Sequence, residues 1–244
     1  MKAGIQFSGG KDSLALLHYV SPWLNDPIVY HGDTGDTFPH VLEFVRETCE
    51  KLKLRLRVVK PPIQISEYIE KFGYPSDIVP VEASLPMRNF NSGEGPMLQS
   101  GFQCCTAMLF RPLMLALQED GITDIYRGSK KCDDRVGVAD GFEDENGVTY
   151  HSPLWDWTDA DVFDYLKRRG IEPAHHYKFV NESLDCVNCT AYLKGHASAD
   201  RVRYTRDNYP ERWPEFKRRL QLVNSVVSQE RAAISEAMSV AEVA

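Results

Sequence analysis

The 244-residue sequence has no run of eighteen apolar residues, so no membrane-crossing helix is expected. Its N-terminus passes straight into a strand pattern, without the features of a secretory leader, and a cytoplasmic location is expected. An excess of positive charge is also missing. The formal net charge of -7 argues against a generally nucleic-acid-coating surface and leaves room only for a local basic patch. Cysteine is sparse, six residues with none after Cys189, and grouped thiols without a leader read as metal ligands or redox groups rather than disulfides. There is no internal repeat and no Walker A sequence. With 43% apolar and 26% charged residues, the chain reads as a soluble enzyme with ample core.

What is present is organised around residues 4 to 17. Ile5 to Phe7 read as a short buried strand, and Leu14, Ala15 and Leu17 as the core face of a following helix. Between them lie Ser8, Gly9, Gly10, Lys11, Asp12 and Ser13. Two glycines let backbone N–H groups approach an anion, the helix start adds partial positive charge, and Lys11 adds a full one. That is a device for holding phosphate. The run resembles the PP-loop of ATP pyrophosphatases, which cut ATP between the α- and β-phosphates.

Further along, Pro27 to His31 predicts a second buried strand running into the polar turn Asp33-Thr34-Gly35. A helix is predicted from Pro39 to Leu52, and a strand with one wet face from Leu54 to Val59. This alternation implies a parallel sheet with ligands at the carboxyl ends of its strands, so both polar turns are expected to face one nucleotide. Ile63 to Phe72 predicts a short helix, and Gly73 to Gly101 a long loop rich in Pro, Gly, Ser and Asn. Next come a helix over 106–118, a strand near 122–126 and a charged loop from Arg127 to Arg135. Thr158 with Asp161 predicts a capping box that starts a helix to Arg169, and Pro214 predicts the start of the last helix. That last helix is expected to dock on the body or on a second subunit, which makes a homodimer a candidate assembly. Arg201 to Arg219 interleaves basic and aromatic residues, which reads either as a base-stacking surface or, slightly preferred, as a solvated face.

Cys104 and Cys105 are adjacent, and Cys186 and Cys189 form a C-x-x-C pair. Four thiolates suit zinc or a [4Fe–4S] cluster alike in softness and number. These pairs, with Arg111-Pro112-Leu113, Ser152 to Thr158 and Asp33-Thr34-Gly35, resemble the phosphoadenosine/adenosine phosphosulfate reductase family over about residues 4 to 192. The resemblance implies a Rossmann-like, doubly wound, mostly parallel α/β fold of the adenine nucleotide alpha-hydrolase type. It implies a PP-loop domain over 1–180, and a cluster-closing segment with a helical C-terminal extension over 181–244. It further implies a [4Fe–4S] cluster on Cys104, Cys105, Cys186 and Cys189. Nucleotide contacts are implied from Ser8 to Ser13, Asp33 to Gly35, Gly128, Lys130 and Arg135, with Lys11 and Asp12 as catalytic groups.

Three features depart from the reductases of that family. No cysteine follows Cys189, the phosphate loop is intact rather than degenerate, and Met108 and Leu109 stand where basic residues are usual. The expectation is therefore an enzyme that binds ATP with Mg²⁺, adenylylates an acceptor and serves sulfur transfer. The acceptor, a nucleic acid or a small molecule, is not legible, and a sulfur donor protein is a further expected partner. The alternatives are a phosphoadenylyl-sulfate or adenylyl-sulfate reductase releasing sulfite, and a non-catalytic nucleotide-sensing subunit. In the reductase case Cys132 is the one thiol able to replace a tail cysteine.

Overall fold

Short apolar runs alternate with helices of period 3.6 along the first sixty residues, and the computed structural model follows them. It describes residues 2–91, 95–133, 139–193, 195 and 197–241. β1 (Ala3–Gln6), α1 (Lys11–Val20), β2 (Ile28–Gly32), α2 (Pro39–Lys51) and β3 (Arg55–Val59) come first. Then follow α3 (Ile65–Phe72), β4 (Tyr74–Ser76), α4 (Leu85–Asn91), β5 (Leu98–Ser100) and α5 (Gly101–Cys105). A π-helical stretch, Thr106–Phe110, leads into α6 (Arg111–Glu119), β6 (Asp124–Tyr126), β7 (Phe142–Glu143) and β8 (Thr149–His151). The chain closes with α7 (Asp159–Arg168), α8 (Ser198–Asn208) and α9 (Trp213–Ala241). No described helix is long and apolar enough to cross a membrane.

The chain forms two compact units, Met1–Pro61 with Leu109–Asp185, and Pro62–Met108 with Cys186–Ala244. The linear division expected at residue 180 does not describe this arrangement, because residues 62–108 group with the C-terminal stretch.

The first unit is built on a six-stranded sheet in the order β3-β2-β1-β6-β8-β7. All neighbours are parallel except β7, which pairs antiparallel with β8. The β7–β8 pair arises in a stretch where no strand was predicted. Side chains alternate across the central strands: Ile5 and Val29 enter a core with Leu14, Leu17 and Val162, while Tyr30 and Ile125 enter another with Leu113 and Leu117. Gly4 marks the close approach on the second face, since a Cβ there would lie 2.9 Å from Ile125 Cδ1 and 3.0 Å from Tyr30. Chain direction across the sheet reverses at β1: β2 and β3 lie to one side, β6 and β8 to the other. The crevice outside the carboxyl ends of β1 and β6 is thus the topological switch point, where ligands of such sheets bind. α7 begins with the predicted capping box, Asp161 N–H donating to Thr158 Oγ1 at 3.2 Å and Thr158 N–H to Asp161 Oδ2 at 2.8 Å.

The second unit corrects the expectation of a long loop over 73–101. That stretch holds a two-stranded parallel sheet, with Tyr74 opposite Leu98 and Ser76 opposite Ser100, and α4 between the strands. Leu98 and Ala83 pack with Val223 and Val226 of α9, so α9 completes the core of this unit. α9 begins at Trp213–Pro214, as predicted. The helix predicted from 106 begins earlier, at Gly101, capped by Ser100 and Gln103, so Cys104 and Cys105 are helical residues.

Candidate functional site

The turn after β1 forms because Gly9 supplies a left-handed φ of +88° with no Cβ to strike Val41, whose Cγ1 would be 2.8 Å away. Hydroxyl groups then fasten the loop. Ser13 Oγ donates to the Gly10 carbonyl at 3.0 Å and lies 3.0 Å from Ser8 Oγ, which accepts from Gly10 N–H at 3.3 Å. The loop after β6 closes against it. A Cβ on Gly128 would stand 2.9 Å from both the Asp12 carbonyl carbon and the Ser13 nitrogen, so only glycine lets the two backbones meet. A cavity of about 170 Å³ opens between them, lined by Ser8, Gly10, Asp12, Ser13, Arg127, Gly128, Ser129, Asp133 and Ser183. Pockets for whole drug-sized ligands begin at roughly 300 Å³, so this volume suits the phosphate end of a larger ligand.

Beside that cavity two ammonium groups share three carboxylates. Lys130, whose side chain is fully buried, lies 2.6 Å from Asp12 Oδ1 and 2.7 Å from Asp133 Oδ1. Lys11 Nζ lies 2.9 Å from Asp12 Oδ2 and 3.0 Å from Asp159 Oδ1, and 5.9 Å from the centre of the Phe163 ring. Burial alone would lower both lysine pKa values. Hydrogen bonds and charge from Asp12, with Asp133 for Lys130 and Asp159 for Lys11, outweigh it, so both stand above the ordinary value. Burial likewise pushes the Asp159 carboxyl up, and its contact with Lys11 brings it below the ordinary value. Lys11 N–H, one of the amides expected to face an anion, donates to Tyr177 Oη at 2.9 Å, and that hydroxyl lies 3.1 Å from Ser183 Oγ.

Of the predicted nucleotide residues, Ser8, Gly10, Asp12, Ser13 and Gly128 line the cavity. Lys11 and Lys130 stand behind it in the ion cluster, and Gly9 shapes the turn. Asp33, Thr34 and Gly35 follow β2 on the same edge of the sheet but do not line this cavity. Asp33 Oδ1 accepts from Gly35 N–H at 2.9 Å, an Asx turn, and its other oxygen lies 3.6 Å from Lys60 Nζ. Arg135 lies outside the described residues. Sequence reasoning missed Arg127, Ser129, Asp133, Tyr177, Ser183 and Asp159. Ser129 and Asp133 were within reach of it, flanking Lys130; nothing in the pattern around 177 or 183 pointed to the loop.

The cysteine pairs lie in the second unit. Cys104, buried, and Cys105 end α5. Gly101 at the start of that helix packs against Ala191, two residues after Cys189, where a Cβ would meet Ala191 Cβ at 2.6 Å. Thr190 Oγ1 donates to the Pro75 carbonyl in β4, fixing the same segment to the small sheet. Two buried arginines hold the C-x-x-C turn: Arg201 donates to the Cys186 carbonyl at 2.7 Å and Arg219 to the Asn188 carbonyl at 3.3 Å. The donor chemistry, four thiols on neighbouring segments, fits a soft metal or an iron–sulfur cluster. Among the described residues, however, no three Cys, His, Asp or Glu side chains form a group set to hold a metal ion.

A family model, the phosphoadenosine phosphosulfate reductase domain, matches residues 2–192. The chain belongs to that family. A phosphoadenosine 5'-phosphosulfate reductase of Alkalilimnicola ehrlichii is 27% identical over 201 residues, covering 81% of this chain and 74% of that protein. One from Xylella fastidiosa is 24% identical over 176 residues, 69% of this chain and 63% of that protein. Among solved structures, the phosphoadenylyl-sulfate reductase of Candida auris in its phosphate complex superposes with a TM-score of 0.55 at 18% identity, covering 78% of this chain and 84% of that one. The FMN adenylyltransferase of Candida glabrata gives 0.50 at 16% identity, covering 77% and 53%. Both are likenesses of fold.

His176 is buried and lies 3.0 Å from His40 Nε2 through its Nδ1. Burial first, then the neighbouring imidazoles, pull both pKa values down to about 4, so the pair is neutral at pH 7. The basic stretch from Arg201 to Arg219 is mostly the preferred solvated face, with Arg203, Arg206, Arg212, Lys217 and Arg218 exposed. Arg201 and Arg219 are buried, while Arg203, Arg206 and Arg218 pair with Asp200, Asp207 and Glu215.

Proposed function

We propose that this chain binds an adenosine nucleotide by its phosphates at Ser8–Ser13 and reacts at the group joined to the α-phosphate. The observation that carries it is the meeting of the β1 and β6 loops at the switch point, with Gly128 against Asp12 and Ser13. Ser8, Gly10, Ser13 and Gly128 line the cavity there, and the two ammonium groups adjoin it through the lining carboxylates of Asp12 and Asp133.

The names of the relatives favour a sulfonucleotide as substrate, ahead of the sulfur-transfer reaction expected from the intact loop. In that reading a thiolate attacks the sulfo group, forming an S–S bond as the nucleotide leaves with the electron pair of the broken S–O bond. A second thiol then releases sulfite, and two thiols end as a disulfide. Cys49 is poorly suited to the attack, being buried with its pKa pushed up to about 11 by desolvation. Cys132 is exposed, in the same loop as Ser129 and Asp133, with Sγ 3.3 Å from the Trp157 carbonyl. Cys132 is therefore the proposed nucleophile of this reading.

A second reading, cleavage of ATP between the α- and β-phosphates, has one specific support. Asp12 and Asp133 place two carboxylates on the cavity wall, hard oxygen donors of the kind that hold Mg²⁺ on a nucleotide. The metal would offset phosphate charge there. The decisive experiment supplies phosphoadenylyl sulfate or adenylyl sulfate with a dithiol reductant, and separately ATP with Mg²⁺. Sulfite that disappears in Cys132→Ser is the expected result. Pyrophosphate from ATP without sulfite establishes the second reading, and neither product leaves a nucleotide-sensing role. In either active case Lys11→Ala should weaken nucleotide binding by about 1.5–3 kcal/mol through loss of a charge-assisted contact, and equal calorimetric affinity would remove Lys11 from the site.

We also infer that Cys104, Cys105, Cys186 and Cys189 hold a [4Fe–4S] cluster. Bound, it would tie the two cysteine segments together and supply redox-active iron. Anaerobically purified chain should carry about four irons and matching acid-labile sulfide, both lost in Cys186→Ser. Stoichiometric zinc without iron from an iron-replete preparation would replace the cluster with a structural metal site.

A further inference from the structure

Asp159 stands at the first position of α7 with 56% of its side chain exposed, yet its Oδ1 lies 3.0 Å from Lys11 Nζ and 3.4 Å from Lys130 Nζ. The helix start does not require it, because Thr158 and Asp161 already form the cap. Lys11 is drawn toward α7 as a result, with its ammonium near Phe163 and absent from the cavity wall. Two of the three N–H donors of the Lys11 ammonium face carboxylates, and turning the group from α7 toward the cavity wall costs it the Asp159 contact. Asp12 is the less exchangeable partner, being the neighbouring residue and bound to the buried Lys130 as well. Asp159 is the more exposed, so water can solvate its carboxylate once the contact opens.

We propose that Asp159 is an internal competitor for the ligand's phosphate, pairing with Lys11 through its carboxylate and yielding it when phosphate arrives. This rests on the phosphate-site reading above. The consequence is an affinity set below what the loop's own cations could reach, and a preference for highly charged phosphate groups that outcompete one carboxylate. A side chain that merely supported the site would lower affinity when removed; a competitor raises it.

The test is calorimetric titration of the full chain with inorganic pyrophosphate, comparing wild type, Asp159→Asn, Asp159→Ser, Asp159→Glu and Lys11→Ala. Asn and Ser both suit a helix start, and thermal melting of each variant reports whether the fold is kept. The neutral variants should bind about three- to tenfold more tightly, the range set by one half-exposed ion pair, while Asp159→Glu stays near wild type. If wild type binds and Lys11→Ala binds more weakly, but neither neutral variant gains affinity, the competitor role is wrong and the phosphate site stands. Absence of pyrophosphate binding in every protein would overturn both.

Discussion

Lys130→Met is expected to destabilise the first unit by about 3 kcal/mol, the largest effect of any single exchange in the ion cluster. Methionine keeps most of the stem and removes the charge. What it leaves is Asp12 and Asp133 at 2.6 and 2.7 Å from a group that no longer answers them, in a site with no exposure at the lysine side chain. Breaking a buried pair costs about 3–5 kcal/mol, and the lower end applies because both carboxylates retain some contact with water. For a chain of this size that corresponds to a melting temperature lower by roughly 6–12 °C. The pH dependence has a defined sign. Lys130 holds its proton more tightly folded than unfolded, so its contribution is full below the unfolded value of about 10.4 and lost only as pH rises through the higher folded value. Asp159 holds its proton less tightly when folded, so its contribution is present above about pH 4 and lost as pH falls through the lower folded value. The deficit of the variant should therefore be flat from roughly pH 5 to 9 and shrink as pH rises above about 10. A change below about 1 kcal/mol at pH 7 in chemical denaturation would show that the cluster is not a buried one.

Gly128→Ala should abolish most phosphate binding while leaving the chain folded. The added Cβ meets backbone atoms of Asp12 and Ser13 at 2.9 Å, and backbone cannot move aside as a side chain tip can. The loops after β1 and β6 must part by several tenths of an ångström, with strain of about 1–3 kcal/mol. Because the cavity lies between those two loops, pyrophosphate affinity should fall about tenfold or more, a loss of roughly 1.4 kcal/mol or greater. Gly128→Ala binding pyrophosphate as tightly as wild type would show that the anion does not sit between the loops.

Much of the first unit was legible because its determinants are local. The β1–loop–α1 segment carries strand, glycine turn, cation and helix face within fourteen residues, and the capping box of α7 is complete within four. The parallel sheet followed from alternation of strands and helices, whose connections leave few topologies open. The sheet of β4 and β5 was not legible, since strands of three residues show no period and pair only through the register of Tyr74 with Leu98. His176 likewise gave no local sign of burial; its partner His40 lies 136 positions earlier.

The sequence by itself determined the family, the glycine turn after β1 and the identity of the cations beside it, because each resides in a short contiguous run whose chemistry does not depend on distant residues. Only the tertiary structure decided which carboxylates those cations meet. Asp12 and Lys130 are separated by 118 positions and meet at 2.6 Å because β1 and β6 are neighbours at the switch point of the sheet. Asp159 reaches Lys11 because α7 packs against α1 through Val162 and Leu166. A charge can be read from one residue, but whether it is available to a ligand depends on which opposite charges the fold has brought beside it.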